Sequence, residues 1–474
     1  MSGLHRTFSR RTAIAIVIGN IIGSGIFMKP SLMMQQLGSP WLLLGIWAVA
    51  GLVTLIGALS NSEVAAMYPE TGGQYVFFQK MFGDRFAFLY GWAAFAVFNS
   101  ASAASIAYIF SQYADYFIAL PRFDAATELA VKLHIPLVGD IFPLANIGVK
   151  SLTVLTILFL TLVNYRSVRT GGLLQRVLTD AKNAAIFLLI VSILFSGRGD
   201  WSHYSESIPR RSDLGLIGAI VAAMSGAFWG YDGWNNVTFI AGEIKEPQRN
   251  LPASLIIGLL VCFVLYVLSN VAYIYALSPA DMAASKVVAA DAASAVWGSI
   301  GGALIAGLVM LCTFGAANSN SLTAARVTYA MGQDNRSFAW AGKTHERFHT
   351  PGNALWLNAA WSAVLVISGS FDMLTDMLVF VSWFFYGMSA LGIFVLRKKY
   401  PDHPRPYKVP GYPILPGIFV LFTMFFLGMT LYQDIVSYNA GKVPVINSIL
   451  GSIITVAGLL FYRKTGRTKK AGPV

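Results

Sequence analysis

Ile21-Ile22-Gly23-Ser24-Gly25-Ile26-Phe27 interrupts the first apolar stretch of this chain with glycine. Ser225-Gly226-Ala227-Phe228-Trp229-Gly230-Tyr231-Asp232-Gly233-Trp234 does the same to a later one. A continuous membrane helix gains nothing from such clusters, because glycine weakens a helix interior. Unwound backbone survives in a bilayer only where protein or a water-filled cavity surrounds it. The plainer reading is that the glycines allow close helix packing. Two clusters at the heads of two halves of the chain favour broken helices around one site, the plan of a secondary transporter.

Composition supports a membrane setting. Of 474 residues, 56% are hydrophobic and 12% charged, and the mean hydropathy is +0.61. A soluble domain carries about twice that charge. The expectation is an all-α integral membrane protein, one transmembrane domain over 1–474, with about 12 spans of roughly 20 residues. The spans read as 12–37 (broken), 41–67, 86–117, 148–164, 174–196, 214–240 (broken), 253–277, 299–331, 354–370, 373–396, 412–433 and 445–463. Residues 12–196 and 214–396 then form two five-span units, each headed by a broken span. An odd-numbered unit inserts in opposite orientations, so these form a 5+5 inverted repeat. The stretch 412–463 adds two further spans.

The net charge of +12 is no nucleic-acid signal, because of its placement. With the N-terminus inside, 24 of the 34 Lys and Arg fall in cytoplasmic segments (Arg326 among them), 9 outside, and Lys182 within a span. That bias places both termini in the cytoplasm. The basic tail after Tyr462 is expected to rest on anionic membrane lipids. Cys262 and Cys312 fall within spans and read as small apolar residues. The first apolar run continues into the broken span without a signal-peptide cleavage site. His345, Glu346 and His349 make half a metal site, but the segment supplies no further clear ligand. No metal and no cofactor are expected.

Unwinding a helix frees backbone groups of both kinds. The half-helix after Gly25 begins with free N–H donors and a positive dipole end, suited to a carboxylate. Ser24 adds a hydroxyl. Upstream, the carbonyls near Ile21 and Ile22 face a cation. The second break repeats the pattern, with carbonyls near Phe228, Trp229 and Gly230 and a new N-terminus near Gly233. Together they match the α-carboxyl and α-amino groups of a free L-amino acid. If Gly25 lines this cavity, a large residue there should fill it without harming the fold.

Three side chains have two readings each. Lys182 lies about eight residues into its span, where a charge is costly; it either snorkels to the cytoplasm or reaches the carbonyls of the first break as a tethered cation. Asp232 either caps the half-helix beginning at Gly233 or presents a carboxylate to the substrate. Trp229 is either core packing or a gate that closes over substrate. Asn235, Asn236 and Asn318 are polar groups in spans that serve to join helices.

The chain resembles the L-type amino acid transporters and the bacterial serine/threonine exchangers of the amino acid–polyamine–organocation superfamily. The resemblance runs through Gly19 to Phe27, Pro69-Glu70-Thr71-Gly72-Gly73-Gln74-Tyr75, Tyr231-Asp232-Gly233-Trp234-Asn235 and Asn250-Leu251-Pro252. It extends to Arg326–Met331 and Arg405-Pro406-Tyr407-Lys408-Val409-Pro410. It implies a LeuT-like fold and sodium-independent amino acid exchange, here across a bacterial inner membrane. In such proteins the first-break residues, here Gly23, Ser24 and Gly25, hold the substrate carboxylate. Carbonyls at Ile21, Trp229, Gly230 and Asp232 face its amino group, and a lysine matching Lys182 takes the place of a sodium ion. Two departures stand out. Asp232 replaces a glycine of animal members, which argues against carrying over their preference for large side chains. The external cysteine that joins a heavy chain is absent, so no disulfide-linked heavy chain is expected.

The alternatives are a proton-coupled importer, a carrier of cationic amino acids or polyamines, and a sensor that binds without transport. The spans hold no metal constellation and no nucleophile–base pair, which argues against an enzyme.

Overall fold

The computed structural model describes residues 5–135, 139–210, 215–285, 287–368, 371–441 and 446–462. The tail after Tyr462 therefore lies outside the described residues. Ser9 opens the first span: its hydroxyl accepts from the Thr12 amide at 3.3 Å and starts α1 (Arg10–Ile21). Backbone at 22–24 interrupts the helix, and α2 (Gly25–Leu37) resumes it. Gly38 then ends it in a left-handed conformation, φ +66°. Ser39 and Pro40 start α3 (Pro40–Met67), a hydroxyl cap followed by a proline that needs no amide partner.

Next come α4 (Gln74–Phe82), α5 (Asp84–Ala93), a π-helical turn (Ala94–Phe98) and α6 (Asn99–Ala114). The connection from α6 carries α7 (Ala125–Ala130) and an antiparallel hairpin, β1 (Leu133–Ile135) with β2 (Gly139–Ile141), Leu133 opposite Ile141. Outside this short hairpin the described elements are helical, as the all-α reading expects. After α8 (Ile147–Arg166) and α9 (Val168–Leu194), the second break begins. It is α10 (Gly215–Tyr231), a turn, and a 3-10 helix (Asn236–Glu243). Then follow α11 (Pro247–Ala276), α12 (Pro279–Ala284), α13 (Val288–Trp297) and α14 (Ser299–Asp334). The chain continues through α15 (Gly352–Ser368), α16 (Phe371–Lys399), α17 (Ile414–Asn439) and α18 (Asn447–Ala457).

Among the described residues, nine helical stretches are long and apolar enough to cross a membrane, by length and composition. The other expected spans appear as the broken α10 segment, α15 and α18. This is a multi-span helical membrane protein. Its outer faces are apolar: Leu155 and Phe159 on α8 and Leu421 and Met424 on α17 are more than half exposed. Lipid offers no hydrophobic drive for helix association, so close packing and interhelical hydrogen bonds hold the bundle. Asn164 donates to Asn318 Oδ1 at 3.0 Å, and Asn318 to Gln175 Oε1 at 3.0 Å, tying α8, α14 and α9. Asn235 Oδ1 accepts from Asn61 on α3, whose own Oδ1 accepts from Ser389 on α16. Asn235 and Asn318 thus join helices, as their residue type indicated.

Charge is also buried. Arg326 on α14 is fully enclosed and meets Glu243 through two bonds, Nε–Oε1 at 2.7 Å and Nη2–Oε2 at 3.0 Å. Arg326 lies on α14, which extends to Asp334, and is held inside the protein rather than in a loop. The Glu243 carbonyl accepts from the amides of Thr7 and Phe8, which stitches the segment before α1 to the end of the second break.

Candidate functional site

Both breaks line one cavity. Its wall takes Asn20, Ile21, Gly23, Ser24 and Gly25 from the first break and Trp229, Asp232, Gly233 and Asn236 from the second. Ser102 and Ile106 of α6 and Asn320 of α14 complete it. Of the residues named from sequence, Ile21, Gly23, Ser24, Gly25, Trp229 and Asp232 line the cavity directly. Gly230 lies just behind: a Cβ built on Gly25 would sit 2.6 Å from the Gly230 Cα. The cavity has a volume of about 20 Å³, room for a water rather than an amino acid.

The first break behaves as its backbone dictates. In the first turn of α2 the Phe27 amide donates to the Ser24 carbonyl at 3.1 Å, while the Gly25 and Ile26 amides lack intrahelical acceptors. The Ser24 hydroxyl is buried and has no hydrogen-bond partner. Donors for an anion therefore stand at the head of α2. The Lys182 side chain is fully buried, and its Nζ donates to the Gly19 carbonyl at 3.1 Å and the Ile22 carbonyl at 2.7 Å. Of its two readings, the structure takes the one in which the ammonium reaches the first break. A buried ammonium persists only when paired or hydrogen-bonded, and the freed carbonyls of α1 do this without a carboxylate.

The second break differs from expectation in three ways. Only the Gly233 end of its glycine cluster unwinds the helix: α10 runs on through Gly226 and Gly230 to Tyr231, and the turn covers 232–235. The new N-terminus is at Asn236 rather than Gly233, because Gly233 is in the left-handed region at φ +86° and turns the chain first. A Cβ there would also sit 3.0 Å from the Asn20 carbonyl oxygen. Asp232 consequently caps no helix at Gly233. Its carboxylate instead accepts from the Tyr386 hydroxyl of α16 at 2.9 Å, at the cavity wall. Gly25 brings a further correction. The Gly25–Gly230 contact is backbone against backbone, so a large side chain at Gly25 would push α2 from α10 as well as fill the cavity. The close-packing reading and the cavity reading both hold there.

Sequence reasoning missed Tyr266. Its hydroxyl on α11 lies 2.9 Å from the Ile21 carbonyl and 3.0 Å from the Gly230 carbonyl, so one O–H bridges the two breaks. The ring packs edge-on against Trp47 at 5.3 Å. Tyrosine in an apolar span looks like core, and only the fold shows what its oxygen meets. Asn20 was also passed over. It accepts from Asn236 Nδ2 at 3.2 Å and ties the breaks a second time. Its place beside Ile21 was the available signal. Asn236, read only as a helix joiner, also lines the cavity. Ser102, Ile106 and Asn320 had no sequence signal, since each lies in an otherwise ordinary span.

The chain is 29% identical to the mouse b(0,+)-type amino acid transporter 1 over 467 residues, 97% of this chain and 88% of the mouse protein. It is also 29% identical to the serine/threonine exchanger SteT of Bacillus subtilis over 466 residues, 97% of each. Against the rabbit large neutral amino acids transporter small subunit 2 it is 30% identical over 443 residues, 92% of this chain and 78% of that protein. The sequence model of the amino acid permease family matches residues 8–465. With the match running nearly end to end, the chain belongs to the amino acid permease family.

Proposed function

We propose that this permease exchanges neutral L-amino acids across a bacterial inner membrane, independently of sodium, by alternating access. The observation that carries the reading is the cavity shared by both breaks, with free donors at the head of α2 and the Lys182 ammonium on the carbonyls at the end of α1. The α-carboxyl group of the substrate meets Gly23, Ser24 and Gly25; its α-amino group meets the carbonyl side of the breaks at Ile21, Trp229, Gly230 and Asp232. Lys182 supplies the positive charge that a coupled sodium ion would bring, and a tethered charge cannot leave with the substrate. Because the cavity is water-sized, substrate entry requires the breaks to part, and Trp229 is the side chain that closes over it. Residues 12–196 and 214–396 move as an inverted pair, with both termini in the cytoplasm. The similar proteins, a serine/threonine exchanger and amino acid transporters, support this substrate class.

Asp232 favours a second substrate range. Its carboxylate at the cavity wall suits a cationic side chain, so ornithine and lysine belong in the same screen. Purified protein is reconstituted in liposomes preloaded with one amino acid, and uptake of labelled amino acids is followed in sodium and in choline buffer. Exchange requires internal substrate and is unchanged by choline. Sodium-dependent uptake, or uptake into empty liposomes driven by a proton gradient, rejects the reading.

A further inference from the structure

A groove of about 420 Å³ separates the N-terminal end of α1 from α9. Its floor is apolar, with Ile14, Ala15 and Ile18, and Arg10 and Arg11 stand at its end. Across the mouth, Arg11 Nη2 meets Asp180 Oδ2 at 2.9 Å, with both side chains more than half exposed. Deeper in, Thr179 closes the gap by donating to the Ala15 carbonyl at 3.0 Å.

The direction in which this groove opens identifies its occupant. Asp180 lies on the face of α9 that also presents Leu173, Val177 and Leu188, each half exposed or more. Those are the apolar residues that a membrane helix turns toward lipid, at the spacing of one helical face. The groove therefore opens sideways into the bilayer, with two guanidinium groups at the end where headgroups lie. An exposed ion pair such as Arg11–Asp180 is worth little and exchanges easily for another anion.

We propose that the groove binds an anionic phospholipid, its phosphate held by Arg10 and Arg11 and one acyl chain along Ile14, Ala15 and Ile18. The phosphate competes with Asp180 for Arg11. The occupant grips the N-terminal end of α1, the half-helix whose other end meets Lys182 at the Gly19 and Ile22 carbonyls. Lipid composition thereby acts on the element that must move for exchange. The inference rests on the cytoplasmic placement of the N-terminus proposed above, where anionic lipid attracts basic residues.

The test is native mass spectrometry of the purified full chain in detergent, titrated with phosphatidylglycerol or phosphatidylcholine. Phosphatidylglycerol is retained in preference, and the Arg10→Gln, Arg11→Gln double variant weakens that retention by about fivefold for each arginine removed. Asp180→Asn, which removes the internal competitor, strengthens it, so the inference stays testable even if the double variant folds poorly. Equal retention of both lipids, or retention unaltered in these variants, overturns the proposal. So does displacement of the lipid by inorganic phosphate at low concentration, which identifies an ion site instead. Retention is read on the protein itself, so a failure here is separable from a failure of amino acid exchange in liposomes.

Discussion

Lys182 Nζ lies 2.7 Å from the Ile22 carbonyl oxygen, joining the middle of α9 to the point where α1 unwinds. Charge-assisted bonds to buried carbonyls contribute about 1.5–3 kcal/mol each. Lys182→Ala removes two such bonds and the charge. Exchange in liposomes is expected to fall at least about tenfold, since 1.4 kcal/mol already corresponds to that factor. Near-normal exchange by this variant, with normal expression, would sink the tethered-cation role.

Tyr266→Phe deletes one oxygen and leaves the ring against Trp47. The breaks lose their shared O–H bridge at Ile21 and Gly230. A neutral hydrogen bond is worth about 1 kcal/mol, so exchange should drop by roughly fivefold with little change in thermal stability. Unchanged kinetics would show that the bridge is incidental to transport.

Gly23 and Gly25 separate under alanine substitution. A Cβ on Gly23 meets only the Ala316 Cβ at 3.6 Å, an ordinary contact. On Gly25 it strikes the Gly230 Cα at 2.6 Å. Gly23→Ala should therefore keep its melting temperature and change substrate affinity. Gly25→Ala should destabilise by about 1–3 kcal/mol as the backbones are forced apart. Melting curves in detergent and counterflow affinity measured together check both, and equal stability of the two variants contradicts the close approach.

Trp229→Ala opens the cavity wall beside Gly25 at the head of α2 and leaves the glycines of both breaks in place. Insertion and expression should match the wild type while the apparent affinity for substrate weakens about tenfold, on the scale of a lost aromatic contact. Counterflow kinetics matching the wild type remove its gating role.

Arg326→Ala leaves Glu243 buried and unpaired. Breaking such a pair costs about 3–5 kcal/mol, enough to lower yield and melting temperature sharply. Replacing both residues, as in Arg326→Met with Glu243→Gln, should recover much of that loss, because no isolated charge remains. A double variant as unstable as the single one would show that the pair's desolvation is not the main cost.

Much of this fold was legible in the chain itself. Length, charge depletion and apolar runs reflect the bilayer, which forces backbone groups to be satisfied within each segment. The first break was readable for the same reason, since Gly23-Ser24-Gly25 weakens a helix locally. Lys182 stood out because a lone charge in an apolar span needs a partner. The second break was only half legible. Gly226 and Gly230 carry the same local signal as Gly23 and Gly25, yet they stay helical, packed where α10 meets α2 and α3. The turn comes at Gly233, the one glycine of that cluster near which the reading placed the break.

Local chemistry thus determined which segments enter the membrane, where the first helix fails and which buried charge requires an answer. Tertiary packing decided what those features meet. Lys182 needed carbonyls, and only the placement of α9 beside α1 selected Gly19 and Ile22. The Tyr266 bridge, the turning of Asp232 toward Tyr386 and the Arg326–Glu243 pair join residues far apart in sequence. No periodicity along one helix encodes them, because each bond depends on how separate helices are rotated and shifted against one another.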